Sequence, residues 1–251
     1  MTWTVNEGDC LDPVTGLASL ADASVAHLIS DPPYSERVHA GFGAERRTDL
    51  SGARGDIGFE HLSLDVLAGI AEQAARIVTR WAIVFTDDRG IEPWSVAFER
   101  AGMRPFCAGQ WIKTDAMPRM AGDGPAYGAE QIVIVHARGH GRSRWHGGGK
   151  SAIWTGPVKE AGTVREHPTQ KPLWLLEALV RDFTDPGELI LDPFAGSGTT
   201  GVAARRLGRS FIGWERDPKY AATARRRIDA AREQAELFPA RGPKPKQEAL
   251  L

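Results

Sequence analysis

Short apolar runs closed by turn residues alternate along the chain with stretches whose apolar positions recur every three or four residues, predicting buried strands joined by amphipathic helices. Val25-Ala26-His27-Leu28-Ile29-Ser30 is mostly apolar and is stopped by Pro32-Pro33, as expected of a strand buried in a sheet. Between about Leu62 and Val78, Leu64, Leu67, Ala68, Ala71, Ala74, Ala75 and Val78 share one helical face. Trp81 to Thr86 reads as a second buried strand, Pro93 to Ala101 as a short helix and Arg104 to Lys113 as a strand. Gln131 to His136 is its antiparallel neighbour across an irregular connection bearing Gly and Pro.

The last third alternates more cleanly. Helix Leu173–Phe183, strand Leu189–Asp192, helix Thr199–Leu207, strand Ser210–Trp214 and a helix from Pro218 to about Leu237 follow one another at short spacing. Such alternation requires right-handed crossovers, so the fold class is α/β: a doubly wound, mostly parallel sheet with helices on both faces. Ligands of such sheets lie beyond the carboxyl ends of the strands.

Composition narrows the class. The 251 residues are 42% hydrophobic and 25% charged, as in a globular protein, and 28 Gly with 16 Pro show no period, which excludes collagen-like and coiled-coil chains. The expected organisation is one domain over 1–238, with variable loops at 35–59 and 137–166 and a disordered tail at 239–251. No apolar run is long enough to span a bilayer and the N-terminus lacks a signal-like segment, so a cytoplasmic protein without membrane contact is expected. Cys10 and Cys107 cannot build a disulfide framework or a thiolate metal site and read as small buried hydrophobes; no metal is expected. With a net charge of -1, nucleic-acid binding must come from local patches.

Two segments carry chemistry. Leu189-Ile190-Leu191-Asp192-Pro193-Phe194-Ala195-Gly196-Ser197-Gly198-Thr199-Thr200 runs from a strand through a glycine-bearing turn into a helix, where a ligand approaches the backbone and free N–H groups point at it. It fits neither the phosphate-cradling P-loop nor Gly-x-Gly-x-x-Gly, and a tight packing turn is the bland alternative. Glu215 ends the next strand, the place of an acid that hydrogen-bonds ribose hydroxyls. Asp31-Pro32-Pro33-Tyr34 is a rigid corner offering the Asp31 carboxylate and the Pro32 carbonyl as acceptors beside an aromatic face. A planar ring with an exocyclic amine suits it, as when an extruded base is held; a plain turn after a strand is the alternative.

In order, Gly8-Asp9-Cys10-Leu11, Asp31-Pro32-Pro33-Tyr34, His167-Pro168-Thr169-Gln170-Lys171-Pro172, Asp192 to Thr200 and Gly213-x-Glu215-x-Asp217-Pro218-x-Tyr220 resemble the DNA amino-methyltransferases that modify adenine N6 or cytosine N4. The catalytic corner precedes the cofactor turn, which is similar to the permuted beta group of that family. The resemblance implies a Rossmann-like seven-stranded sheet with one antiparallel strand and S-adenosyl-L-methionine as methyl donor. Phe194, Ala195, Gly196, Ser197 and Gly198, with Asp192 at their base, would line the cofactor, Glu215 would take its ribose, and Asp9 and Cys10 would approach its adenine. His167, Thr169 and Lys171 would close over the methionine end, Lys171 as counter-charge to the carboxylate; the same segment also serves as the entry to a helix, with Pro172 in its first turn.

Asp31, Pro32, Pro33 and Tyr34 would be catalytic, and Asp-Pro-Pro-Tyr is the variant mostly associated with adenine N6. The function implied is site-specific N6-adenine methylation of double-stranded DNA by base flipping and direct in-line transfer, in a restriction-modification setting. N4-cytosine methylation and a non-catalytic cofactor- or DNA-binding subunit remain the rivals, and a homodimer stays open. For DNA contact the expectation falls on Arg46 and Arg47 in the first loop, and on Arg138, Arg142, Arg144 and Lys150 in the second, an acid-free stretch that includes Trp145.

Overall fold

The structure, a computed structural model, describes residues 1–33, 63–118, 124–139, 143–159 and 170–237, with side chains through 231. Among these residues, eight strands form one sheet: β1 (Trp3–Glu7), β2 (Val25–Ser30), β3 (Val78–Thr86), β4 (Arg104–Lys113), β5 (Ala129–His136), β6 (Ile153–Gly156), β7 (Leu189–Asp192) and β8 (Ser210–Glu215). Their order is β1-β8-β7-β2-β3-β5-β4-β6. β1, β8, β7, β2 and β3 are parallel; β5 runs against both β3 and β4, and β6 is again parallel to β4. The expected α/β sheet is present, with one strand more than expected.

Among the described residues, five α-helices complete the layers: α1 (Leu64–Ile77), α2 (Ile91–Arg100), α3 (Leu173–Phe183), α4 (Thr199–Arg206) and α5 (Pro218–Leu237). α1 begins where the Ser63 side chain accepts the Val66 amide, with Asp65 in the first turn. Its buried face is Leu67, Ile70, Ala71, Ala74 and Ile77, whereas Leu64, counted in the apolar face from the sequence, is exposed. Alternation along β3 feeds two cores. Trp81, Ile83 and Phe85 pack with α3, α4 and α5, and Val78, Ala82 and Val84 with α1 and α2. Truncating a fully buried ring such as Phe85 would cost about 3 to 5 kcal/mol.

The outer edge corrects one expectation. Among the described residues β6 pairs only with Gln110 to Lys113, and β4 carries a register shift between Pro105 and Cys107. Cys10 is buried as expected, but Cys107 on this irregular stretch is exposed. Proline, a bulge and Arg104 are devices that discourage pairing with another strand.

Candidate active site

The carboxyl ends of β2 and β7 lie side by side, because His27 and Leu28 pair with Ile190 and Leu191. This brings Asp31-Pro32-Pro33 next to the turn after Asp192. Between them opens a cleft lined by Asp31, Gln170, Lys171, Leu176, Asp192, Phe194, Ala195, Gly196, Ser197, Thr199 and Thr200. The two sequence segments read separately as chemical thus share one cavity.

Asp192 is buried at the floor. Its Oδ1 accepts from the Ser30 hydroxyl at 2.6 Å and from the Phe194 amide at 3.0 Å. Burial pushes its carboxyl up to about 6, against the hydrogen bonds from Ser30, Thr200 and Phe194. The turn is then fastened to β8: Ala195 N–H donates to the Trp214 carbonyl and Gly196 N–H to Glu215 Oε2, both at 2.8 Å. Gly196 and Gly198 have φ of +52° and +81°. Gly198 allows α4 to start against α5, since a Cβ there would lie 2.8 Å from that of Ala224; at Gly196 a Cβ would meet only open space. Arg227 binds the Ser197 carbonyl and hydroxyl at 2.6 and 2.9 Å, and Ser197 donates to Gln170 at 3.3 Å.

Glu215, expected to take a ribose, is held by two amides, from Gly196 to Oε2 and from Asp217 to Oε1. Burial raises its carboxyl despite them. The Gly8 amide bonds the Glu215 carbonyl at 2.9 Å, so the Asp9-Cys10 turn sits beside the same strand end; Asp9 caps the Leu11 amide. Burial, with Asp9 nearby, pushes the Cys10 thiol up to about 12, which keeps it protonated and unfit as a nucleophile.

Lys171 lines the cleft beside the glycine turn and is engaged there by two carboxylates. Its ammonium, expected to serve a ligand carboxylate, lies 2.6 Å from Asp31 Oδ2 and 3.1 Å from Glu130 Oε2, over the face of Phe85. Burial disfavours the charge, but Asp31 and Glu130 outweigh it and hold the ammonium above its ordinary range. Glu130 was not singled out from the sequence. It stands at the start of β5, whose reversed direction delivers it to the carboxyl ends of the parallel strands.

The same reversal sets the direction in which the second loop, expected to contact DNA, leaves the sheet. His136, the last residue of β5, pairs with Trp81 near the start of β3, so the chain leaves at the end of the sheet opposite the cleft. There Ser143 donates to the Arg80 carbonyl, Trp81 to the Arg144 carbonyl, Lys150 pairs with Asp182, and Arg144 lies 3.7 Å from Asp185. Arg138, Arg144 and Lys150 are therefore not brought to Asp31. The cleft side carries instead the connection from β4 to β5, with Met117 and Tyr127 exposed, and the residues after β6, where Asp115 accepts the Val158 amide at 2.6 Å. Tyr34, Arg46, Arg47, Arg142, His167 and Thr169 lie outside the described residues.

Residues 25–226 match the family model N6_N4_Mtase, described as DNA methylase. The type II methyltransferase M2.DpnII of Streptococcus pneumoniae is 36% identical over 152 residues, which is 55% of this chain and 56% of that protein. M2.LlaDCHI of Lactococcus lactis subsp. cremoris is 33% identical over 148 residues, 53% of this chain and 54% of the relative. The chain thus spans about half the length of the curated relatives it matches. Among solved structures, the M1.HpyAVI-SAM complex superposes with a TM-score of 0.69 at 24% identity, covering 91% of this chain and all of that one. The cytosine-N4-specific PvuII DNA methyltransferase does so at 0.66 and 17%, covering 93% and 92%. Both show the same fold.

Proposed function

Because the chain belongs to the N6/N4 DNA methylase family, we propose that its cleft transfers a methyl group from S-adenosyl-L-methionine to the exocyclic N6 of adenine in double-stranded DNA, with the base turned out of the helix. The observation that carries this reading is the single cavity uniting the Asp31 corner with the glycine turn.

The residues present fit the cofactor. The turn offers backbone against open space at Gly196, and the buried Asp192 supplies negative charge for a cationic cofactor. Asp192, Phe194 to Gly198 and Glu215 would hold it, with Asp9 and Cys10 toward its adenine. When bound, it supplies an electrophilic methyl on sulfur.

The chain's own groups do the rest. Adenine N6 is a poor nucleophile because its lone pair is delocalised into the ring. The Asp31 carboxylate and the Pro32 carbonyl accept hydrogen bonds from its two N–H groups, favour a tetrahedral nitrogen, and stabilise the positive charge that develops as it attacks, a charge discharged when the methylated nitrogen sheds one proton to solvent. Pro32 and Pro33 hold these acceptors in place without spare N–H donors. Tyr34 is assigned the face of the ring and the protonated Cys10 no covalent role. DNA contact is assigned to the cleft side, including Met117 and Tyr127, where bases and backbone meet the site. The similarity to type II methyltransferases supports a restriction-modification setting for this activity.

Methyl transfer from tritiated cofactor to unmethylated DNA, followed by nucleoside digestion and mass spectrometry, tests the reading. N6-methyladenine is the expected product. N4-methylcytosine would replace the base assignment, and absence of transfer would refute the activity of this chain alone. Among the described residues no helix is long and apolar enough to cross a membrane.

A further inference from the structure

We propose that Glu130 is a positioning residue for the transfer step: by sharing the Lys171 ammonium with Asp31, it keeps the Asp31 carboxylate a strong acceptor for the amine of the target base. This rests on the assignment of Asp31 to that amine.

Four charges alternate across the rim of the cleft. Asp31 Oδ2 is 2.6 Å from Lys171 Nζ, Lys171 Nζ is 3.1 Å from Glu130 Oε2, and Glu130 Oε1 is 2.7 Å from Lys113 Nζ. They come from four segments: after β2, before α3, the start of β5 and the end of β4. The surroundings are poor in water. Lys171 lies over the Phe85 ring and Lys113 over the Trp111 ring, each at 5.2 Å, and the side chains of Lys171, Glu130 and Lys113 are 9%, 16% and 16% exposed.

In such a place an ammonium needs compensation. With Asp31 as its only counter-charge, Lys171 would neutralise the very carboxylate that must accept the amine hydrogens, and a neutral pair would face the growing positive charge on nitrogen. Adding Glu130 makes the inner three groups net negative, and Lys113 beyond it balances the outer side. Glu130 therefore acts on the amine through Lys171 and Asp31 without touching the base.

The test compares Glu130→Gln, which keeps size and an acceptor oxygen but loses the charge, with Glu130→Asp, which keeps the charge on a shorter chain. Single-turnover transfer at saturating cofactor and DNA should fall on the order of tenfold in E130Q and stay within about threefold of wild type in E130D. Cofactor affinity by calorimetry should be unchanged in both. A purely structural role reverses that order, because the shorter side chain loses more contact; E130D slower than E130Q, or E130Q as fast as wild type, would overturn the proposal. Should E130Q not fold, Lys113→Gln decides: releasing Glu130 to Lys171 should keep or raise the rate, and a tenfold loss would overturn it. Asp31→Asn separates the two levels. Full activity in D31N refutes the assignment of Asp31 itself, whereas an inactive D31N beside a wild-type E130Q refutes only the role of Glu130.

Discussion

The hydroxyl of Ser30 donates a 2.6 Å hydrogen bond to Oδ1 of Asp192, joining the end of the strand that carries the Asp-Pro-Pro corner to the end of the strand that carries the glycine turn. Asp192 is ionised at neutral pH and gains a proton near 6. If its charge helps hold a cationic cofactor, affinity measured by calorimetry should weaken as pH falls through about 6. Ser30→Ala removes a bond that favours the charged form, so the midpoint of that loss should move up by about one unit. A profile identical to wild type would detach Asp192 from cofactor binding.

Asp31→Asn leaves an oxygen for Lys171 but no charge for the amine. Transfer should fall by about 100-fold or more while the cofactor dissociation constant stays within about threefold. Paired kinetics and calorimetry check both halves.

The two left-handed glycines should separate stability from binding. Gly198→Ala incurs both the conformational cost, about 1 to 2 kcal/mol, and a clash with Ala224, so its denaturant midpoint should fall most. Gly196→Ala incurs only the conformational part, yet its methyl group projects into open space at the cleft, and it should lose more cofactor affinity than stability. Equal denaturant midpoints would refute this division.

His27, buried in β2, bonds Glu188 Oε2 through Nε2 at 2.7 Å, and its Nδ1 has no hydrogen-bond partner among the described residues. Burial depresses its pKa below the ordinary 6.5, more than Glu188 raises it. Glu188 itself, despite burial, is held at about 2 by His27, the Asp185 amide and Arg80, and stays ionised from pH 7 to 5. Below 6.5 the unfolded chain takes up a proton that folded His27 resists, so stability is lost as pH falls. Relative to His27→Leu, which lacks this proton, wild type should lose about 1 to 2 kcal/mol between pH 7 and pH 5, measured by urea unfolding. A constant difference would show that His27 is charged when folded.

What was legible in the sequence follows from how each signal is encoded. The elements from Leu173 onward were plain because each strand and helix is local and closed by a turn. β1 leaves no apolar signature in the sequence because of its five residues only Val5 is buried, and β6 leaves little because its four residues alternate between exposure and burial. Glu130 belongs to no motif; its one trace is a charge at the head of the apolar run Gln131 to His136, and only the antiparallel pairing gives it meaning. The same pairing carries the basic loop after His136 away from the cleft, which local composition does not encode.

The stitch between Ser30 and Asp192 also has a kinetic side. It spans 162 positions, and β2 finds its β7 neighbour only across a comparable stretch of chain. Contacts so remote in sequence are slow to form, because loop entropy must be lost before pairing compensates for it. The β4–β5 pairing is local and can form early, whereas the two walls of the cleft meet only after the last third of the chain has been made. Assembly of the cleft is thus a late folding event, and until β7 arrives the apolar flank of β2 is exposed to aggregation during synthesis.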